Sequence, residues 1–371
     1  MKPLILFVLA DLEVGGAQRV ILTVIRHLDR QRFVPHLVIA GKQGPLRREI
    51  PDNIPVHDLK VSRVRYALPA LLRLCWSLKP DRVVSTLGHL NLLLLASKGF
   101  FPKGTSLTVR EANTASIRLQ YTEFPGIYRW LYRMLYPLAD TVVCNSQYMS
   151  HDLVEHFSLK PDLIRIIPNP VDVERIKRRL GENSSPIVKR RCDIVAVGRL
   201  SYQKGFDLLL RAFHRALKDT AGLHLTIVGD GPEEKKLRRL ADELFIADSV
   251  DFAGHKDNPF PYMAAADFVV LSSRWEGSPN TVLESLVCGT PVLAFDCPGG
   301  TREILRDGEN GWLVAPADWE TMGRTIVDLV EGKRWIHLKN NSLLPKAYRC
   351  EDVVRQWEKL FTDAINSDVL S

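Results

Sequence analysis

The chain has 371 residues, 46% of them apolar and 25% charged, a globular composition at a length natural for two domains. Its net charge of +7 is uneven: residues 1–187 carry 26 Lys and Arg against 16 Asp and Glu (net +10), and the remainder 24 against 27 (net −3). No run of about 18 apolar residues offers a membrane span, no aromatic-basic motif marks a nucleic-acid binder, and the six scattered cysteines lack a C-x-x-C pair, favouring reduced, buried thiols over disulfides or zinc.

In chain order, residues 4–10 form an apolar run too short for a signal peptide and followed at once by Asp11 and Glu13; they read as a buried first strand. Gly15-Gly16 is a turn, after which Val20, Ile21, Val24, Ile25 and Leu28 repeat at helical spacing. Residues 34–39, 82–85, 107–109 and 141–144 read as further strands with helical patterns between them. That alternation predicts an α/β, doubly wound parallel sheet. Turn formers from Pro168 to Asp172 and from Gly181 to Pro186 mark a join. The pattern then restarts with strands at 194–197, 223–228, 268–271 and 292–295. The boundaries expected are 1–180, 181–350 and a terminal helix, 351–371, whose Val353, Val354, Trp357, Leu360, Phe361 and Ile365 share a face.

Four blocks can carry chemistry. Gly15-Gly16-Ala17 lets backbone N–H groups approach an anion, although such turns also serve as plain connections and no full G-x-G-x-x-G supports a dinucleotide site. Arg199 and Lys204, five residues apart after a strand, are either surface charges or the two arms of a diphosphate clamp. Gly229-Asp230-Gly231-Pro232 closes another strand. Last, the strand 268–271 runs into Glu276-Gly277-Ser278-Pro279-Asn280-Thr281-Val282-Leu283-Glu284. Ser278 reads as an N-cap, Pro279 as the first helical residue and Gly289 as the stop. The free N–H groups and positive dipole end of that helix suit a phosphate, with one carboxylate before it and one after.

Except for Gly229–Pro232, these blocks, with Gly289-Thr290-Pro291-Val292 and Gly299-Gly300-Thr301-Arg302-Glu303, resemble in order the signature of the GT4-type retaining glycosyltransferases. The resemblance spans nearly the whole chain and is poorly specific for the sugar. It implies a GT-B fold: two Rossmann-like domains facing a cleft, the N-terminal one on the acceptor side, the C-terminal one binding the nucleotide-sugar, and the last helix returning to the N-terminal domain. It implies that Arg199 and Lys204 contact the diphosphate, Glu276 the donor sugar and Glu284 the ribose hydroxyls. Gly16, Gly277, Ser278, Pro279, Asn280 and Thr281 fall around the donor, and Gly229 and His255 near the base.

On the N-terminal side, a His-Glu-Pro-Asn-like block of many relatives is matched by Arg110-Glu111-Ala112-Asn113, with Arg110 in place of the His. Arg110, Glu111 and Asn113 are therefore acceptor- or sugar-side candidates, and His89, after strand 82–85, is an alternative. Residues 118–138 mix Tyr121, Phe124, Tyr128, Trp130, Tyr132 and Tyr136 with Arg118, Arg129 and Arg133, which suits either core packing or an anionic membrane surface. The expected activity is transfer of a hexose or N-acetylhexosamine from a UDP-sugar, ahead of a GDP-sugar, to a lipid-linked or polysaccharide acceptor. No cofactor or metal is expected, nor nucleic acid as a partner; the setting is the cytoplasmic face of the membrane. A nucleotide-sugar epimerase and a non-catalytic nucleotide-sugar-binding protein are the rival classes.

Overall fold

The computed structural model describes residues 2–13, 15–41, 43–182, 192–339 and 344–368, with side chains up to residue 363 in the last helix. Ile365 and residues 183–186 of the expected join lie outside these limits. The chain divides into two units, Met1–Pro170 with Ala347–Ser371, and Val171–Lys346.

The first unit runs β1 (Leu4–Leu9), α1 (Gly16–His27), β2 (Val34–Ile39), β3 (Val56–Asp58), α2 (Leu68–Leu78), β4 (Arg82–Thr86), α3 (Gly88–Ala96), β5 (Ser106–Arg110), α4 (Ala115–Gln120), α5 (Pro125–Leu135), β6 (Thr141–Cys144), α6 (Gln147–Phe157) and β7 (Ile164–Ile166). The strands form one parallel sheet in the order β3-β2-β1-β4-β5-β6-β7. Apolar residues at period 2 bury both faces of β1: Ile5, Phe7 and Leu9 join one core and Leu6, Val8 and Ala10 the other.

The second unit runs α7 (Val173–Leu180), β8 (Cys192–Val197), α8 (Phe206–Asp219), β9 (Leu223–Val228), α9 (Glu234–Glu243), β10 (Val250–Gly254), α10 (Phe260–Ala265), β11 (Phe268–Leu271), α11 (Asn280–Val287), β12 (Val292–Phe295), α12 (Thr301–Ile304), β13 (Gly311–Val314) and α13 (Trp319–Glu331). Its parallel sheet has the order β10-β9-β8-β11-β12-β13. Both sheets are Rossmann-like. Each reverses direction beside its first strand, at β1/β4 and at β8/β11, where ligands of open α/β sheets bind.

The division falls after Pro170, ten residues before the expected boundary. The reason is α7: Asp172 caps it through Arg175 N at 2.9 Å, and Arg179 Nη2 donates to Asp257 O at 2.8 Å, fastening the helix to the second unit. The last helix, α14 (Cys350–Asp368), belongs to the first unit. Val353, Trp357 and Phe361 enter the core of β1 and α1, with Phe361 edge-on to Phe7 and Phe33. Glu358 accepts from Asp29 N at 3.0 Å and Arg32 Nη1 at 3.1 Å. Burying each large apolar side chain contributes about 1.5–3 kcal/mol, so packing fixes this helix and the ion pair orients it.

Candidate active site

In the second unit the loops after β8, β11 and β12 are tied together by backbone contacts that glycine permits. Gly205 has φ +61°, and a Cβ there would lie 2.1 Å from Ser272 O. Gly299 has φ +132°, and a Cβ there would lie 2.4 Å from Glu276 O. Cross-loop hydrogen bonds follow from this close approach: Arg274 N to Gln203 O (2.7 Å), Gln203 Nε2 to Trp275 O (2.9 Å), Ser272 Oγ to Lys204 O (2.9 Å), and Gly300 N to Gly277 O (2.7 Å). Arg274 grips Asp207 with both terminal nitrogens, at 2.8 and 2.7 Å, and stacks on Tyr202. Burial pushes the Asp207 carboxyl up, but the Arg274 bonds and charge prevail and hold it below its ordinary range.

This scaffold brings Lys204 and Glu276 together. Lys204 Nζ donates to Glu276 Oε1 at 2.6 Å, and Ser273 Oγ donates to the same oxygen at 2.6 Å. Glu276 is buried, while Arg199 is exposed on the same β8 loop. Gly229 and Gly231 lie against that loop, where side chains would strike Gly198 O and Leu200 O. Leu200 N donates to Asp230 O at 2.7 Å, so the Gly-Asp-Gly turn braces the arginine's backbone.

The helix after β11 begins one residue later than expected. Pro279 is its N-cap, with ψ 103°, and Ser278 lies outside; Asn280 is the first helical residue. An extended Pro279 cannot be a helical N1. Gly277, Ser278 and Pro279 are buried against the converging loops, Asn280, Thr281 and Glu284 half-buried. Thr281 Oγ1 lies 3.4 Å from Val197 O, which sets the start of α11 beside the end of β8. Its first-turn N–H groups have no intrahelical acceptors and its dipole is positive there. An exposed arginine, a lysine and a helix N-terminus at a switch point can hold a diphosphate. His255, exposed after β10, is 3.4 Å from Asp257 and is not joined to this group. Burial pushes the thiols of Cys288 and Cys297 up to about 12, so neither is a nucleophile at neutral pH.

In the first unit, Gly16 is the exposed first residue of α1. His89 is exposed in the first turn of α3, two residues after the N-cap Leu87, whose φ of +78° is a strained value for leucine. Desolvation and the Arg118 charge lower the pKa of His89 against the pull of Asp11, which favours the neutral ring. Arg110 and Glu111 are placed differently from a surface contact pair, each 1% exposed. Arg110 donates to Thr86 Oγ1 (3.1 Å) and Asn169 Oδ1 (2.6 Å), and burial lowers its pKa to about 10. Glu111 accepts from Tyr136, from Tyr132 (3.2 Å) and from Asn91 Nδ2 (3.2 Å); burial raises its pKa despite these bonds. Asn113 is half-buried, its Oδ1 accepting from Thr114 N at 3.0 Å.

Residue types and spacing did not single out Ser273, Asn169 or Asn145. The serine precedes Glu276 by three residues and Asn169 sits in a Pro-Asn-Pro turn that read as linker. Asn145, buried at the end of β6, has an Oδ1 without a partner among the described residues. Among the described residues no group of three or more His, Cys, Asp or Glu gathers as a metal site, and no helix is long and apolar enough to cross a membrane.

Two family models match consecutive parts of the chain: Glycosyltransferase Family 4 over residues 14–175 and Glycosyl transferases group 1 over residues 178–343. The chain is 32% identical over 329 residues, 85% of its length and 87% of the relative's, to the N-acetylgalactosamine-N,N'-diacetylbacillosaminyl-diphospho-undecaprenol 4-alpha-N-acetylgalactosaminyltransferase of Campylobacter jejuni. It is 28% identical over 326 residues to the lipopolysaccharide core biosynthesis glycosyltransferase LpsE of Rhizobium meliloti, covering 85% of this chain and 86% of that one. Among solved structures, Anabaena HepE in complex with UDP-glucose superposes with a TM-score of 0.77 at 19% identity, over 97% of this chain and 99% of that one. At that identity the likeness bears on the fold alone.

Proposed function

The chain belongs to the family 4 glycosyltransferases, with the GT-B class of fold, and on that premise we propose that it moves a hexose or N-acetylhexosamine from a UDP-sugar, ahead of a GDP-sugar, with retention of configuration. The acceptor is a hydroxyl on a lipid-linked glycan or polysaccharide of the cell surface, met at the cytoplasmic face of the membrane. The observation that carries this reading is the Lys204–Glu276 pair beside Arg199 and the start of α11. The relative from Campylobacter jejuni is named for an undecaprenol-linked acceptor, which supports the acceptor class.

In the proposed reaction the anomeric carbon–oxygen bond to the diphosphate breaks. Arg199, Lys204 and the N–H groups at the start of α11 take up the charge that grows on the leaving oxygen. The acceptor oxygen bonds to the anomeric carbon on the same face, and its proton passes to the departing phosphate. Glu276 orients the sugar and Glu284 receives the ribose hydroxyls. Protein cations stand where other transferases use a divalent ion, so no metal is required. His89 is the acceptor- or sugar-side group of the first unit. Arg110, Glu111 and Asn113, the other acceptor- or sugar-side candidates, act by positioning, since Arg110 and Glu111 are buried.

The test is a screen of UDP- and GDP-sugars for nucleotide release, with a membrane lipid extract as acceptor, followed by determination of the product's anomeric configuration. Release from a UDP-sugar that depends on the extract, with an α-linked product from an α-donor, supports the reading. Isomerised sugar formed without acceptor, or an inverted product, overturns it.

A further inference from the structure

Helix α5 is built inside out on its solvent side. Its inner face is Tyr128, Leu131, Tyr132, Leu135 and then Tyr136, spaced for one helical stripe and packed into the core of the first unit. The opposite face should be polar in a helix that meets water. Instead Ile127, Trp130 and Met134, continued by Leu138, follow one another at helical spacing. Trp76 of α2 and Phe100 stand on neighbouring elements. All six are between 46 and 66% exposed. The elements are tied to one another: Trp76 Nε1 donates to Phe100 O at 3.0 Å, and Lys98 Nζ donates to Leu138 O at 2.7 Å. Single exposed apolar residues are ordinary, but a run of them along a helix marks a contact surface.

The surroundings are cationic. Arg129 and Arg133 flank the stripe on α5, and Arg73 precedes Trp76 by one turn; all three are exposed. Lys98 is matched by Asp140 at 2.7 Å. Between residues 114 and 139 the sequence has one carboxylate, Glu123, against three arginines. The aromatic residues split by face. Tyr132 and Tyr136 turn inward to Glu111, and Arg118 is half-buried beside Gly88, so neither the tyrosines nor this arginine belong to the outer surface.

We propose that the outer face of α5, with Trp76 and Phe100, is an insertion surface for an anionic phospholipid bilayer: α5 lies in the interface, its apolar stripe among the acyl chains and its arginines at the headgroups. The stripe is about 17 Å long at 1.5 Å per residue, holds two tryptophans with its neighbours and carries arginines on its flank, the composition of a helix that lies in an anionic lipid interface. The proposal deepens the reading above, on which it rests only for the biological setting. It differs from simple charge attraction in one respect, that part of the binding survives high salt.

The test uses the full chain with vesicles of phosphatidylglycerol and phosphatidylcholine. Sedimentation should show binding at low salt, with a residue persisting at about 1 M salt, where charges are screened beyond ~3 Å. Acyl chains carrying bromine should quench tryptophan fluorescence, and the Trp76→Phe/Trp130→Phe variant should lose that quenching. The variant Ile127→Ser/Trp130→Ser/Met134→Ser should bind vesicles about 10- to 100-fold more weakly, with unchanged helical circular dichroism and UDP affinity. Arg118→Ser should leave vesicle binding unchanged. No binding at low salt, binding without quenching, or a triple variant that binds like wild type overturns the proposal. So does self-association that the triple variant abolishes, in which case a second copy covers the face. Sugar transfer to a detergent-dispersed acceptor, measured alongside, separates the two readings: transfer without vesicle binding removes the docking surface alone, and vesicle binding without transfer removes the enzymatic assignment alone.

Discussion

Lys204 Nζ and Glu276 Oε1 are 2.6 Å apart although 72 residues separate them, and Ser273 Oγ completes the hold on the carboxylate. On the proposed reading this arrangement pre-assembles the donor site: the lysine assigned there to the phosphate is held in place before a nucleotide arrives, which lowers the reorganisation needed during reaction.

Loss of either cation should slow turnover by about 10²–10³ without unfolding the chain, in Arg199→Ala and in Lys204→Ala. Near-normal rates in both variants would remove the clamp from the mechanism. Lys204→Ala should also lower stability, because it leaves the buried Glu276 carboxylate with the Ser273 hydroxyl but without its neutralising lysine. The double variant Lys204→Met/Glu276→Gln should regain much of that stability and none of the activity. Denaturant melts beside rate measurements separate the two roles.

Sugar transfer should persist in excess chelator, since Arg199, Lys204 and the start of α11 occupy the place of a divalent ion in the proposed chemistry. A rate abolished by chelator and restored by Mg²⁺ or Mn²⁺ would show that these groups do not suffice.

Gly205→Ala should destabilise the protein by more than about 1 kcal/mol, from its left-handed φ and the 2.1 Å approach to Ser272 O, and should reduce activity by moving Lys204. Gly99→Ala, where an added Cβ meets nothing within 4 Å, is the control and should melt close to wild type.

Glu111 predicts a pH dependence of stability. Burial raises its folded pKa above the ordinary 4.5, so the folded state retains a proton that the unfolded state releases. Its stabilising contribution is complete below 4.5 and declines as pH rises through the raised value, by at most about 1.4 kcal/mol per pH unit. Glu111→Gln should flatten this slope. Parallel slopes for wild type and variant in melts across that window would show that Glu111 is ionised throughout.

The strands legible in the sequence are the interior ones, β1, β2, β4, β5 and β6 in one sheet and β8, β9, β11 and β12 in the other. The four that escaped, β3, β7, β10 and β13, are all at sheet edges. Strands covered on both sides must be continuously apolar, whereas Val56–Asp58 and Ile164–Ile166 are short and half solvated, with polar residues inside them. The helix after β11 was found, but its cap was misplaced by one residue: Pro279 is extended, with ψ 103°, at the end of a loop bonded to the β12 loop through Glu276 N and Gly277 O, which local residue types do not reveal.

By itself the sequence determined the Rossmann-like periodicity, the order of the motifs and the residue types of the proposed donor site, since period and local turn chemistry are properties of neighbours along the chain. Only the tertiary structure decided that Lys204 meets Glu276, that Glu111 is an internal post for Tyr132 and Tyr136, and that Trp130 faces outward while Tyr132 faces in. The apolar arc of α5, interrupted by Arg129 and Arg133, is wider than its buried face, so the period alone does not say which part of that arc is core; the packing of its neighbours makes that choice and leaves Ile127, Trp130 and Met134 exposed.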